Sequence, residues 1–276
     1  MKKHHMLSTV ILILVFIIGL SVMLYPTVSN YINSLTQSKM ITGYNNDVSL
    51  LNGEEYSKIW TDALEYNASL LDNTTRFVPS EKDSKIYNSC LNVGGNGVMG
   101  YIEIEKIGVN LPIYHGVSEA VLQVGAGHIE GSSLPIGGIG THCIISGHRG
   151  LPSAMLFTDL DKLEIGDVFL INILDETLTY EINQILTVEP DQVDSLEIDK
   201  DKDLCTLVTC TPYGVNSHRL LITGTRVENE QTTVAPAIRV TAEAIQIDPL
   251  LVAPVLAAPL LLILLVMLLV KYRKSH

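Results

Sequence analysis

Thr206-Leu-Val-Thr-Cys210-Thr-Pro-Tyr-Gly-Val-Asn-Ser-His-Arg219 is the stretch from which the rest of the chain can be read. An apolar, β-branched run ends on a cysteine, and Pro212 and Gly214 follow at once as turn formers. Arg219 then opens a second apolar run, Leu220-Leu-Ile-Thr-Gly. The pattern predicts a strand that delivers a thiol to a sheet edge, a loop, and a return strand that brings a guanidinium back. The thiolate is the reactive form of cysteine, and fixed positive charge nearby favours it.

Working outward, the same texture of short apolar runs divided by turn residues begins after Gly94-Gly95-Asn96-Gly97. Residues 98–104, 111–114, 143–146, 168–174, 178–188, 204–210 and 220–225 are the expected strands. Two short helices are expected between them, over 118–124 and over 153–163, the second from the spacing of Leu156, Leu160 and Leu163. Many short strands with few helices imply a mainly β fold, a closed or nearly closed barrel. Upstream, residues 54–71 carry Ile59, Trp60, Ala63, Leu64, Leu70 and Leu71 on one helical face, a packing face for the barrel. Residues 72–83 have no period and read as a loop, and residues 28–52 read as a polar stalk.

The two ends are of another kind. Residues 7–25 contain no charged side chain and follow Lys2 and Lys3, and residues 250–270 are also uncharged and precede Lys271, Arg273 and Lys274. Each is long enough to cross a bilayer as a helix, and the flanking basic residues put both termini on the cytoplasmic side. The expected division is therefore 1–26 anchor, 27–97 juxtamembrane helices and loop, 98–227 barrel, 228–249 tether, and 250–276 second span with a basic tail. All 30 acidic residues but only 13 of the 18 basic ones lie between the spans, a net −17 for that part. Such an acidic ectodomain excludes nucleic acid as a partner and anionic lipid as an electrostatic one.

A cysteine nucleophile needs a proton-transfer partner and a group to hold the developing oxyanion. Five histidines lie outside the cytoplasmic ends: His115, His128, His142, His148 and His218. His148 closes the run Cys143-Ile-Ile-Ser-Gly and precedes a turn, so it stands at a strand end as Cys210 does. His142 would lie at the other end of that strand, and His115, His128 and His218 read as turn or surface residues. No Cys-x-x-Cys pair is present, and the Asp199-Lys-Asp201-Lys-Asp203 run lacks the glycine and closing glutamate of a calcium loop. The sequence calls for no metal and no cofactor. Cys143 and Cys205 each lie five residues before a site residue, an odd offset that turns both thiols to the opposite face.

Taken together, Thr206-Leu-Val-Thr-Cys210 with Arg219, and His148 in Ser-Gly-His-Arg-Gly, resemble the signature of sortases, the membrane-bound cysteine transpeptidases of Gram-positive bacteria. The resemblance runs from about residue 56 to 226. It is strongest to class C, the pilin-polymerising group, in Gly100-Tyr-Ile-Glu-Ile, Leu111-Pro-Ile-Tyr-His-Gly, Gly131-Ser-Ser-Leu-Pro-Ile-Gly-Gly and Leu156-Phe-Thr-Asp-Leu. It implies Cys210 as nucleophile, His148 as acid and base, and Arg219 as oxyanion and substrate support, with Thr206, Leu207 and Thr209 at the substrate. It implies as partners a pilin bearing a Leu-Pro-x-Thr-Gly-like sorting signal and the lysine of the next pilin, joined by an isopeptide bond. It also implies that the strands of Cys143 and Cys205 are neighbours, with the two sulfurs close as buried free thiols; a disulfide is the alternative.

In class C a lid with an Asp-Pro-aromatic tripeptide precedes the barrel. The corresponding Thr75-Arg76-Phe77-Val78-Pro79-Ser80 has none, so Arg76 and Phe77 are expected to form a weak lid, or none resting on Cys210. A thiol and an imidazole with ordinary values near ~8.5 and ~6.5 are thiolate and imidazolium together in only about 1% of molecules at neutral pH. A slow enzyme working from that minor population is expected, aided by an effective concentration shared with a co-anchored substrate.

Overall fold

A computed structural model of the protein describes residues 2–71 and 73–229, together with 262 and 266. Apart from residues 262 and 266, the expected second span, its basic tail and nearly all of the tether lie outside the described residues.

The chain opens with α1 (Lys2–Ser49), a single helix of 48 residues with Pro26 inside it. It is the one helix among the described residues long and apolar enough to cross a membrane. The polar stalk expected over 28–52 continues the helix without a break as far as Ser49, and it lies against the barrel rather than standing clear of it. Asn30 Oδ1 accepts from the Met155 N–H (2.9 Å), Asn33 donates to the Ser153 carbonyl (2.8 Å), and Gln37 donates to the Val124 carbonyl (3.0 Å). At the far end Tyr44, 1% exposed, donates to the Met99 carbonyl (2.9 Å) and accepts from the Leu174 N–H (2.7 Å).

Asn52 then caps α2 (Gly53–Leu70) in a reciprocal box with Glu55, satisfying amides that the first turn leaves free. The buried face of α2 is Ala63, Tyr66, Asn67 and Leu70, shifted from the one expected: Leu64 and Leu71 stay exposed. Asn67 is drawn in because its side chain both donates to and accepts from the backbone of Leu134. A second box, Ser80 with Asp83, starts α3 (Glu81–Ser89) where a loop was expected.

The strands are β1 (Val98–Ile104), β2 (Val109–His115), β3 (Ala126–His128), β4 (Thr141–Ser146), β5 (Val168–Ile173), β6 (Glu176–Val188), β7 (Asp203–Thr211) and β8 (His218–Val227). They close into a barrel in the order β1-β2-β3-β4-β7-β8-β6-β5. Closure leaves no free sheet edge. All seven expected strands are present: β1 has the expected bounds, β5 ends one residue earlier, the other five are longer by two to four residues, and the short β3 is additional. α4 (Glu119–Leu122) is the core of the helix expected over 118–124. The helix expected over 153–163 is instead a series of turns with a 3-10 turn at Leu160–Lys162. Leu156 takes a positive φ of 40°, and the Phe157 N–H bonds back to the His148 carbonyl at 3.1 Å, which closes a loop instead of a helical turn. The apolar residues still reach the core; they do so by turns.

Period-two alternation sorts the strand residues onto two faces. Cys143, Ile145, Cys205, Leu207, Leu220 and Ile222 point into the interior core, where Phe169 and Tyr180 stack at 5.5 Å. Ile144, Val208 and Leu221 point outward, into a second cluster with Val188 and Leu196.

Candidate active site

The candidate site stands on that outer face. β7 and β8 pair antiparallel with Cys210 opposite Arg219, Val208 opposite Leu221 and Thr206 opposite Thr223. β4 runs parallel to β7 with Ile144 opposite Thr206 and Ser146 opposite Val208. The ladder continues past β4: the Gly147 N–H donates to the Val208 carbonyl (3.0 Å), and the Thr209 hydroxyl donates to the Gly147 carbonyl (2.8 Å). Carried one residue further, this register sets His148 beside Cys210. The outer face therefore has three layers, with His148, Cys210 and Arg219 at its upper end.

Each of the three has local support. Cys210 is half-buried. The Arg219 guanidinium donates to the carbonyls of Asn216 (3.3 Å) and His218 (3.1 Å), so it is held by its own loop. His148 Nε2 lies 3.4 Å from Glu119 Oε2 at the start of α4. Its carbonyl is tied to Phe157, and an ideal Cβ built on Gly147 would sit 2.6 Å from the Phe157 ring. Only glycine lets that ring pack under the histidine turn. Arg149 is paired with Asp161 and donates to the Thr211 hydroxyl at 3.5 Å, linking the His148 loop to the end of β7.

Of the remaining expected residues, Thr206 (0% exposed) lies on the outer face at the bottom of the layers, between His142 Nε2 (2.7 Å) and the Thr223 hydroxyl (2.8 Å). Leu207 is in the sealed interior, and Thr209 turns inward to Gly147, so neither side chain shares the face of Cys210. Arg76 is buried: it donates to the carbonyls of Gly131 (3.2 Å) and Leu196 (2.7 Å) and stands 4.3 Å over the ring of Phe77. Burial lowers its pKa from the ordinary guanidinium value, against the pull of Glu197. Phe77 in turn packs on the outer cluster formed by Ile144, Val188, Leu196, Val208 and Leu221. The segment is thus held more firmly than its missing tripeptide suggests. Behind it, a cavity of about 160 Å³ separates it from α2 and α3, lined in part by Tyr66, Leu70, Pro79 and Ile86.

Sequence reasoning did not find the roles of three other groups. Glu119 is remote in sequence from His148, and no motif links the two. His142, expected at a strand end, is buried between the Glu197 carbonyl (2.7 Å) and Thr206, and desolvation lowers its pKa. His128, expected at a turn, is fully buried on β3 and bonds the Tyr87 hydroxyl (3.0 Å). His218 bonds Ser217 and lies 3.5 Å from Glu189. His115 bonds the carbonyls of Gly97 and Cys90, and burial lowers its pKa.

Cys143 and Cys205 are register partners, buried and free. Burial pushes the Cys205 thiol well up; against the same desolvation, hydrogen bonds from Cys205 and His128 hold Cys143 down. Cys90 is also free and buried. Asp203, the last acid of the Asp199-Lys-Asp201-Lys-Asp203 run, is buried and accepts from the Gly138 N–H (2.7 Å) and the Tyr180 hydroxyl (2.9 Å). Among the described residues no group of His, Cys, Asp or Glu is disposed to hold a metal ion.

The family model for the sortase domain matches residues 102–227. Sortase C1 from Streptococcus agalactiae is 52% identical, with a TM-score of 0.67 over 70% of this chain and all of that one. A sortase C from Streptococcus pneumoniae, whose crystal structure bears on catalysis and pilin substrate specificity, is 41% identical, with a TM-score of 0.60 over 69% of this chain and 97% of that one. Sortase A of Streptococcus agalactiae serotype III is 33% identical over 117 residues, 41% of this chain and 47% of that protein, so the match spans about half of that curated relative. The chain belongs to the sortase family. Its structural neighbours are class C sortases.

Proposed function

We propose that the chain is a membrane-anchored, pilin-polymerising cysteine transpeptidase, with Cys210, His148 and Arg219 as its catalytic residues. The observation that carries this is the shared outer-face layer: Cys210 faces Arg219 across one ladder, and the register of the other brings in His148.

In this reading the Cys210 thiolate attacks the Thr carbonyl carbon of a Leu-Pro-x-Thr-Gly-like signal, with Arg219 steadying the oxyanion. His148 gives its proton to the leaving glycine amine as the C–N bond breaks, and a thioester remains. A pilin lysine then attacks the thioester, His148 takes the excess proton, and the thiolate leaves. The apolar outer cluster of Val208 and Leu221 suits the Leu-Pro end of the signal. Phe77 occupies that surface in the free protein, which gives Arg76 and Phe77 the role of a lid that the substrate displaces. Glu119, by its contact with His148, orients the imidazole. The helix α1 serves as the anchor, with its N-terminus cytoplasmic and the barrel outside; a second span over 250–270 completes a two-pass arrangement.

Incubation of the protein with a pilin carrying a sorting signal tests the reading. A ladder of covalent polymers that disappears in Cys210→Ala, His148→Ala and Arg219→Ala is the expected result. Release of the cleaved signal without polymer, or transfer only to a peptidoglycan-type amine, would overturn the pilin assignment. A ladder that survives in Cys210→Ala would overturn the mechanism.

A further inference from the structure

The contacts of α1 fix which end of the barrel faces the bilayer. The helix gains about 1.5 Å of height per residue, so Asn30 stands about 8 Å beyond Tyr25, where the apolar stretch ends, and Tyr44 about 28 Å beyond it. Asn30 and Asn33 hold Met155 and Ser153, whereas Tyr44 holds Met99 and Leu174. The 150–158 loop, directly after His148, is therefore the membrane-proximal end. A headgroup layer is about 5–8 Å deep on each side of the hydrocarbon, which puts Met155 at its outer edge.

The β7–β8 loop lies at the same end. Arg149 is 5.8 Å from the centre of the Tyr213 ring and donates to Thr211, and a Cβ on Gly150 would come within 2.9 Å of that ring. Both loops are free of charge: neither 150–158 nor 211–217 holds an Asp, Glu, Lys or Arg, in an ectodomain that is otherwise strongly acidic. At their tips Met155 is 51% exposed, Tyr213 60% and Val215 69%. Exposed apolar side chains with a tyrosine among them are what a polar–apolar boundary accommodates, because the ring buries its body and keeps its hydroxyl wet.

We propose that Tyr213, Val215 and Met155 form a foot that rests in the headgroup layer of the membrane crossed by α1, so that the Cys210 end of the barrel faces the lipid. The inference rests on the anchor role of α1 given above, but not on the transpeptidase chemistry. A substrate emerging from the same membrane meets Cys210 at the bilayer surface.

The test uses the full chain in nanodiscs of equal parts phosphatidylcholine and phosphatidylglycerol, with acyl chains either plain or brominated near the glycerol end. In a Trp60→Phe background, Val215→Trp and, separately, Met155→Trp report depth by quenching. The native Trp60, on α2 beyond the far end of α1, is the control. Brominated lipid is expected to remove about half or more of the emission at 215 and 155 and to leave that of Trp60 unchanged. Protein that enters the discs but shows no more quenching at 215 and 155 than at Trp60 overturns the foot and leaves the anchor standing. Protein that does not enter the discs overturns both. Tryptophan at 215 that is unquenched by lipid but becomes shielded when a pilin is added makes the surface a protein contact, and the proposal fails.

Discussion

Replacing Arg76 by alanine should open the segment that covers the outer face. Its guanidinium makes two hydrogen bonds, to the carbonyls of Gly131 and Leu196, and supports the ring of Phe77. Hydrogen bonds to a charged group contribute about 1.5–3 kcal/mol each, so the pair is worth about 3–6 kcal/mol before the cost of burying the charge. The contact to Glu197, at 3.6 Å, adds little because that carboxylate is 71% exposed. Burial of the guanidinium works against the pair, as its lowered pKa shows. A net loss of about 2–3 kcal/mol raises the open population of the segment by a factor of about 30 to 150. Amide exchange in residues 73–79 should speed up by that factor while the strands keep their protection. Cleavage of a sorting-signal peptide should rise as Phe77 vacates the cluster of Val208 and Leu221. Unchanged exchange in 73–79 would refute the anchoring role, and faster exchange with unchanged cleavage would refute the covering role. A weak lid, or none resting on Cys210, was the expectation from sequence, under which deleting residues 72–83 would change activity little; the covering role of Phe77 instead calls for deletion to raise cleavage.

Gly147→Ala pushes a methyl into the Phe157 ring, which should cost about 1–3 kcal/mol by overpacking and lower activity through the His148 turn; Phe157→Leu in the same chain should recover part of the melting temperature. Asp203→Ala strands the Gly138 N–H and the Tyr180 hydroxyl, for an expected loss of about 2–4 kcal/mol in denaturant unfolding, whereas an exposed acidic residue would show almost none. Burial favours the neutral forms of His142 and His115; Arg76 and Glu197 face the first, and His128 and Tyr87 the second. Their pKa values are lower folded than unfolded, so the unfolded chain takes up protons first as pH falls. Their share of stability is complete above about 6.5 and declines below it, and His115→Gln with His142→Gln should flatten the fall in melting temperature between pH 7 and 5. An unaltered slope in that double variant would contradict the assignment.

How much of this was legible in the sequence depended on range. Cys210 and Arg219 could be paired because only Pro212 and Gly214 interrupt two β-branched runs, and turn chemistry fixes such a neighbourhood locally. The inward turn of Cys143 and Cys205 followed from counting by twos. His148 was legible as a strand end. Leu156, Leu160 and Leu163 fitted a helical spacing, but the tight return from Phe157 to His148 decided the backbone, and no spacing encodes that. The start of α3 went unread, because residues 72–83 have no period and its box of Ser80 with Asp83 is a signal confined to four residues. Arg76 was hardest to read, because its partners are main-chain carbonyls of residues 131 and 196, which any side chains could supply. Leu207 and Thr209, expected at the substrate, have the wrong parity for the outer face.

With α1 as the anchor, its continuity into the barrel turns chain length into angle. One residue inserted between Pro26 and Asn30 rotates everything above it by about 100° and lifts it by about 1.5 Å. Seven residues return nearly to the starting direction but raise the barrel by about 10 Å. A loose tether would be indifferent to both changes. A chain docked along its own anchor can tolerate neither, so the reach and the facing of Cys210 are set by a count of residues in a helix that touches no substrate.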